Sequence, residues 1–247
     1  MAIQDLSLSY LKPQLKIERA TLVAGKRGNI NMAGLLDFSA GSSLHLALDF
    51  SGCGITPFLP ADWREKFKAV FNGQTEIDKK LSGEDAANAT GNLDFGDGSL
   101  TGLPVLDRTA ALTHKPEFQR LPINEIKGHF DWRGGRLKVS EFRFLAKGLI
   151  CAEGDITIEK GEITSTLKVG VAPDALEPIP GAREKVFTNA HDGYCWTTVH
   201  VSGPMTHPRE DLKPRLLAAA REKIVGKSIL PVLGSGKIVL EAIEHLF

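Results

Sequence analysis

The chain has 247 residues, with 30 lysines and arginines against 30 aspartates and glutamates, a balance that argues against the net cationic face of a duplex-binding or polybasic membrane-surface protein. Hydrophobic content of 42% and charged content of 24% belong to a folded chain rather than a disordered one, long enough for one large or two small domains. Glycine is abundant (25 residues) and aromatics are scarce (7%), which points to many turns and against an aromatic-lined active site.

From the start, Met1 to Gly25 holds no apolar core of signal-peptide length, and no later stretch reaches the roughly 20 apolar residues of a membrane span. Taken literally, the chain is expected to be soluble and untargeted. It nevertheless opens directly into strand-like text, Leu15 to Val23, as would a piece of a longer protein whose targeting segment lies upstream. Most of residues 15–202 then alternates with period two, the mark of strands with one apolar and one polar face. Leu44, Leu46, Leu48 and Phe50 interleave with His45, Ala47 and Asp49; Ile126, Gly128, Phe130 and Trp132 with Lys127, His129 and Asp131. Ile163, Leu167, Val169 and Val171 follow the same rule, with Ser165 the exception on the apolar side, and so do Cys195, Thr197, Val199 and Val201. A sheet built this way is antiparallel and wet on one side.

A local unit recurs within this text: Gly, apolar residues two and four on, a second Gly seven on, an apolar residue nine on. Gly91-Asn-Leu93-Asp-Phe95-Gly-Asp-Gly98-Ser-Leu100 is one copy, Gly128 to Leu137 the next and Gly154 to Ile163 the third; Gly34 to Gly41 is a weaker fourth. The later glycine is read as the positive-φ residue of a tight turn, so each unit is expected to be a β-hairpin. Uneven spacing of the copies rules out a strict solenoid. Two inserts read as helices: Pro60–Val70, with Trp63, Phe67 and Val70 at helical spacing, and Leu103–Thr113, with Leu103, Leu106 and Ala110 in similar register. Residues 172–192, with three prolines, read as an irregular crossover holding one helical turn. Beyond Gly203, Asp211–Val225 and Lys237–Phe247 read as two amphipathic helices. The expected fold class is therefore mainly β with α: a curved antiparallel β-hairpin repeat sheet, half-barrel or groove, with short insert helices and two C-terminal helices. The expected domains are 1–205 for the sheet and 206–247 for the helical segment.

Candidate chemistry is thin. The three cysteines, Cys53, Cys151 and Cys195, form no CxxC pair and allow at most one disulfide; small buried hydrophobes are the simpler reading. Cys195 and His200 resemble a Cys–His pair, but five residues along one strand put them on opposite faces, and Cys195 lies in strand text on the apolar side rather than at the helix N-terminus that activates a nucleophilic thiol. The seven histidines have no metal-ligand spacing. Asp94, Asp97, Asp155 and Glu159 cluster around the expected turns, and solvated surface charge accounts for them. Glycine-rich turns such as Phe95-Gly-Asp-Gly98 lack the phosphate-loop pattern. No cofactor, metal or catalytic residue is expected, and no nucleic acid partner.

The stretch Leu121-Pro-Ile-Asn-Glu-Ile-Lys-Gly-His-Phe-Asp-Trp-Arg-Gly-Gly-Arg-Leu-Lys-Val-Ser-Glu-Phe-Arg-Phe resembles the C-terminal region of AsmA-like proteins, in which one such hairpin follows another, as Gly154 to Ile163 does here. Gly91 to Leu106, a hairpin followed by a short apolar helix, and the exit Gly203-Pro-Met-Thr-His-Pro resemble the same family, so the similarity spans roughly residues 30–205. The helical tail departs from the family pattern. The resemblance implies a non-enzymatic protein of the diderm cell envelope or periplasm, anchored by an upstream membrane helix. In larger members long β-sheet grooves pass phospholipid between the two membranes, and members are linked to outer-membrane assembly.

The residues themselves agree with such a mechanism, since an apolar sheet face can shield acyl chains while its other face stays wet. Parity assigns to that face Leu44, Leu46, Leu48, Phe50, Leu93, Phe95, Phe130, Trp132, Leu137, Val139, Ile156, Ile158, Leu167 and Val169. The expected partner is a phospholipid or other acyl lipid, with a protein partner at the C-terminal helices as a second expectation. The alternative is a structural or docking module whose apolar face is closed by its own helices.

Overall fold

The computed structural model describes residues 2–24, 28–82 and 86–226. Its frame is a 14-stranded sheet in which every pairing is antiparallel. In chain order come β1 (Ala2–Leu11), β2 (Gln14–Ala24), β3 (Gly28–Asp37), β4 (Ser43–Gly54), β5 (Phe67–Lys80), β6 (Asn88–Thr101) and β7 (Arg120–Ile123). After them follow β8 (Glu125–Arg133), β9 (Arg136–Ala146), β10 (Ile150–Glu159), β11 (Glu162–Val171), β12 (Asn189–His191), β13 (Tyr194–Pro204) and β14 (Arg209–Glu210). The helices are α1 (Pro104–Thr113), α2 (Pro173–Leu176) and α3 (Leu212–Gly226). Successive strands lie side by side from β1 through β11 to β13, and the sheet does not close on itself. β7 and β8 both lie against β6, two halves of one strand broken at Asn124, whose side-chain oxygen accepts the Lys147 N–H at 2.8 Å. The mainly β architecture with few helices is thus the one the alternation predicts.

Short turns produce this meander. Gly134 and Gly135 both have positive φ, 56° and 77°, as do Lys160 and Gly161 at 51° and 79°; paired left-handed residues match the twist of the flanking strands. The β8–β9 and β10–β11 hairpins therefore fall where the repeat places them, and β3–β4 forms the weaker copy with a longer loop.

The copy at Gly91–Leu100 is not a hairpin. β6 runs straight through Gly98, and between Lys68 and Val70 of β5 the register slips by one residue. Asp97, at φ 48°, and Gly98 form a bulge, and a Cβ on Gly98 would lie 2.3 Å from the Lys68 carbonyl oxygen. The bulge reverses the parity of β6, so Phe95 and Leu100 face the same side although five residues apart.

Pro60–Val70 is not a helix either. Pro60 opens a single 3-10 turn, Ala61–Trp63, and Phe67 already belongs to β5. Joining the sheet gives Phe67 and Phe71 aromatic neighbours: their ring centroids lie 6.1 and 4.8 Å from that of Phe95, and Phe71 lies 5.1 Å from Phe50. An isolated helix of that length is marginal and offers no such burial. The second insert does form α1, and the crossover contains α2 and a wide turn at Ala182–Val186. The expected helix over Lys237–Phe247 lies outside the described residues.

Two clusters hold the helices on one end of the apolar sheet face. Leu106 and Ala110 of α1 pack with Phe118, Leu121, Ala146 and Leu149, against Leu100, Phe144 and Ile150. Leu216, Ala219 and Ala220 of α3 pack with Leu176, Ile179, Phe187 and Cys195, against Val169 and Val171. Arg215 pins α3 to β13 by donating to the Thr198 carbonyl and the buried Thr197 hydroxyl. Glu210 caps α3 by accepting the Lys213 N–H at 3.0 Å.

Candidate functional site

Cross-strand register turns the parity of single strands into a continuous surface. Leu8, Ile17, Gly34, Leu46, Ile77, Ala89, Trp132, Leu137, Ile158, Ile163 and Gly203 are successive direct partners from β1 to β13. Beside this row runs a second: Leu6, Ala20, Met32, Leu48, Thr75, Gly91, Phe130, Val139, Ile156, Ser165 and Val201. Directly opposed residues point to one face, so both rows are apolar almost throughout. Thr75 and Ser165 are the hydroxyl-bearing exceptions, and Ser165 is buried and donates its hydroxyl to the Asp155 carbonyl at 2.8 Å.

All the residues assigned to this face by alternation are strand residues, and register brings them together. Val139 alone among them is buried and Trp132 alone is exposed, at 51%; Leu44, Leu46, Leu48, Phe50, Leu93, Phe95, Phe130, Leu137, Ile156, Ile158, Leu167 and Val169 are half-buried. They divide by what lies over them. Val169 packs beneath the helical layer. Leu48 and Phe50 lean on a small cluster of Ala24, Ile30 and Cys53. Leu46, Leu137 and Ile158 belong to neither helical cluster.

Sequence reading missed several members. Met32, Phe71 and Ile77 belong to the same face, and Ile3, Leu6, Leu8 and Tyr10 extend it onto β1. The period-two run Phe67, Ala69, Phe71, Gly73, Thr75, Ile77 was available as a signal, as was the alternation of Leu6, Leu8 and Tyr10 with Ser7 and Ser9.

The opposite face is polar and internally paired. His45 Nδ1 lies 2.7 Å from Asp78, Gln14 donates to Asp37 at 2.9 Å and Gln74 to Asp49 at 3.1 Å. Arg143 bridges Glu125 and Glu153 at 3.2 and 3.3 Å. Asp155 accepts the Glu141 N–H at 3.1 Å, Glu159 lies 3.8 Å from Arg136, Asp94 is half-buried and Asp97 is exposed on the bulge.

Cys195 and His200 stand on opposite faces: Cys195 pairs with Val171 inside the helical core, and His200 pairs with Thr166, its Nδ1 3.2 Å from the threonine hydroxyl. Cys53 and Cys151 are free and buried, and burial pushes both thiols up, which keeps them protonated at neutral pH. Among the described residues no group of three His, Cys, Asp or Glu side chains could hold a metal ion, and no helix is long and apolar enough to cross a membrane. An open pocket of about 690 Å³ at the sheet end is lined by Lys68, Lys115, Arg120 and Lys147 together with Asp97 and Glu117. Two of those cations are already engaged, Lys115 with Asp174 at 2.5 Å and Lys68 with Glu65 at 2.9 Å.

Comparison of the chain with protein-family models, curated proteins and solved structures finds no match. The functional reading therefore stands on the two faces of the sheet.

Proposed function

We propose that the chain is a non-enzymatic, AsmA-like sheet module that shields or guides phospholipid acyl chains and supports outer-membrane biogenesis in the envelope of a diderm bacterium. The observation that carries the lipid reading is the pair of apolar rows running from β1 to β13, none of whose residues belongs to the two helical clusters. An extended apolar surface of this kind on a folded chain marks a binding surface. Burying a methylene is worth about 0.8 kcal/mol, so half an acyl chain gains several kcal/mol without any head-group contact. The envelope setting rests on the resemblance carried by Leu121 to Phe144.

A second reading, a structural or docking module, draws on the helical layer that covers Val169, Val171 and Phe144. The two readings differ at Leu46 and Ile158, which lie outside that layer. Titration with cis-parinaric acid, a fluorescent long-chain fatty acid, separates them. The lipid reading expects saturable binding that Leu46→Glu and Ile158→Glu each weaken at least tenfold while the circular dichroism spectrum is kept. Absence of saturable binding to the folded wild-type chain favours the docking module.

A further inference from the structure

The two edges of the sheet are built differently. At the far edge, β13 is covered by the three-residue β12 and the two-residue β14, and Asp211 takes up the His200 N–H at 2.9 Å just before α3. Such short pieces blunt an edge against further pairing. At the near edge stands β1, ten residues long and exposed at every one of them. Among the described residues no strand or helix lies along its outer side. β1 carries no lysine and no proline, the usual guards of a free edge, and its one charge, Asp5, is neutralised by Arg19 at 2.9 Å. On the apolar face Ile3, Leu6, Leu8 and Tyr10 remain 65%, 51%, 51% and 60% exposed.

We propose that β1 pairs antiparallel with β1 of a second copy about a two-fold axis, joining two sheets edge to edge so that their apolar faces run on from one copy to the other. The occupant follows from the strand itself. Pairing centred on Ser7 sets Leu6 against Leu8 on the apolar side and Asp5 against Ser9 on the polar side, so like side chains meet and like charges do not. Because the far edge is blunted, head-to-tail growth into a filament is blocked, and the assembly closes as an isologous dimer.

Multi-angle light scattering of the full chain, across the micromolar range, tests this independently of lipid. The expected mass is twice 26.8 kDa, reverting to the monomer value in Leu8→Lys and in Ser7→Pro, with the circular dichroism spectrum of Leu8→Lys unchanged. A second measurement stands apart from folding of the proline variant. Ser7→Cys places two thiols across the axis at the Cα separation a disulfide accepts, and mild oxidation is expected to give a covalent dimer on a non-reducing gel. A wild-type chain that stays monomeric throughout overturns the proposal. So does a dimer that is indifferent to Leu8→Lys and yields no cross-link in the Ser7→Cys variant.

Discussion

Four glycines open the hairpin-like units, and each sits inside a strand beneath a large neighbour. A Cβ on Gly34 would meet Leu46 at 2.7 Å, on Gly91 Phe130 at 2.9 Å, on Gly128 Val139 at 3.0 Å and on Gly154 Leu167 at 3.2 Å. The repeat is thus as much a packing code as a turn code, since the missing side chain leaves room for the next strand's apolar group. Gly91 is the strictest case, because the added atom would also lie 2.1 Å from the Gln74 carbonyl oxygen. Gly91→Val is expected to cost about 2 kcal/mol or more in urea unfolding. On the polar side, the Ser39 N–H at 2.8 Å, and then the Ser39 and Gln14 side chains, hold the Asp37 carboxyl below its ordinary range. Lys16 does the same for Glu18, and Lys115 for Asp174. Folded carboxylates that bind protons later than unfolded ones stabilise the fold fully above the ordinary carboxylate range, and that stabilisation is lost as pH falls through the folded values. Melting temperature is therefore expected to drop below about pH 4, and less steeply in Asp37→Asn. An identical acid limb in the variant would contradict the assignment.

Elements were legible where local chemistry and sheet burial agree. The β8–β9 and β10–β11 hairpins carry both alternation and a left-handed turn, so either signal finds them. Alternation and helical spacing conflict at Pro60–Val70, where Trp63, Phe67 and Val70 satisfy a helix and Phe67, Ala69 and Phe71 satisfy a strand. Burial decides for the strand: Ala69 and Phe71 lie inside, and Trp63 is left exposed. At Gly98 the sequence offers a turn residue, but a bulge uses the same residue, and only the partner strand tells the two apart. β1 was missed because its alternation is of leucine with serine, small polar residues that mark loops as readily as edges. For α3 the helical period was readable but its destination was not. Leu216 is 3% exposed in the core shared with Cys195, so Leu216→Ala is expected to cost about 2–5 kcal/mol, against a change within about 0.5 kcal/mol for exposed Trp63→Ala. Equal, small effects from the two substitutions would mean that α3 does not belong to the core.

At the scale of the whole molecule, the period of two predicts an apolar face but not its extent. Extent depends on which strands are neighbours and in what register, information held in the pairing of residues far apart in sequence, such as Leu46 with Ile77 and Ala89 with Trp132. The same is true of the cover. Nothing in the text of α1 or α3 says that they crowd one end of the sheet and leave Leu46, Leu137 and Ile158 outside their clusters. That division gives the molecule two regions, a helix-filled core and an apolar strip outside it, the strip being the one on which the proposed lipid would lie. Phosphatidylglycerol tests the proposed lipid binding without a fluorescent surrogate, because the proposal places its acyl chains on the strip and a chain of zero net charge offers no overall charge to hold its head group. Native mass spectrometry of the full chain, incubated with phosphatidylglycerol and freed of vesicles, is the most direct measurement. A lipid-binding strip is expected to give a lipid adduct on the wild-type chain that is lost in Leu46→Glu and Ile158→Glu and kept in the polar-face variant Asp49→Asn. A bare protein mass under all conditions, or an adduct that both glutamate variants retain, would contradict it.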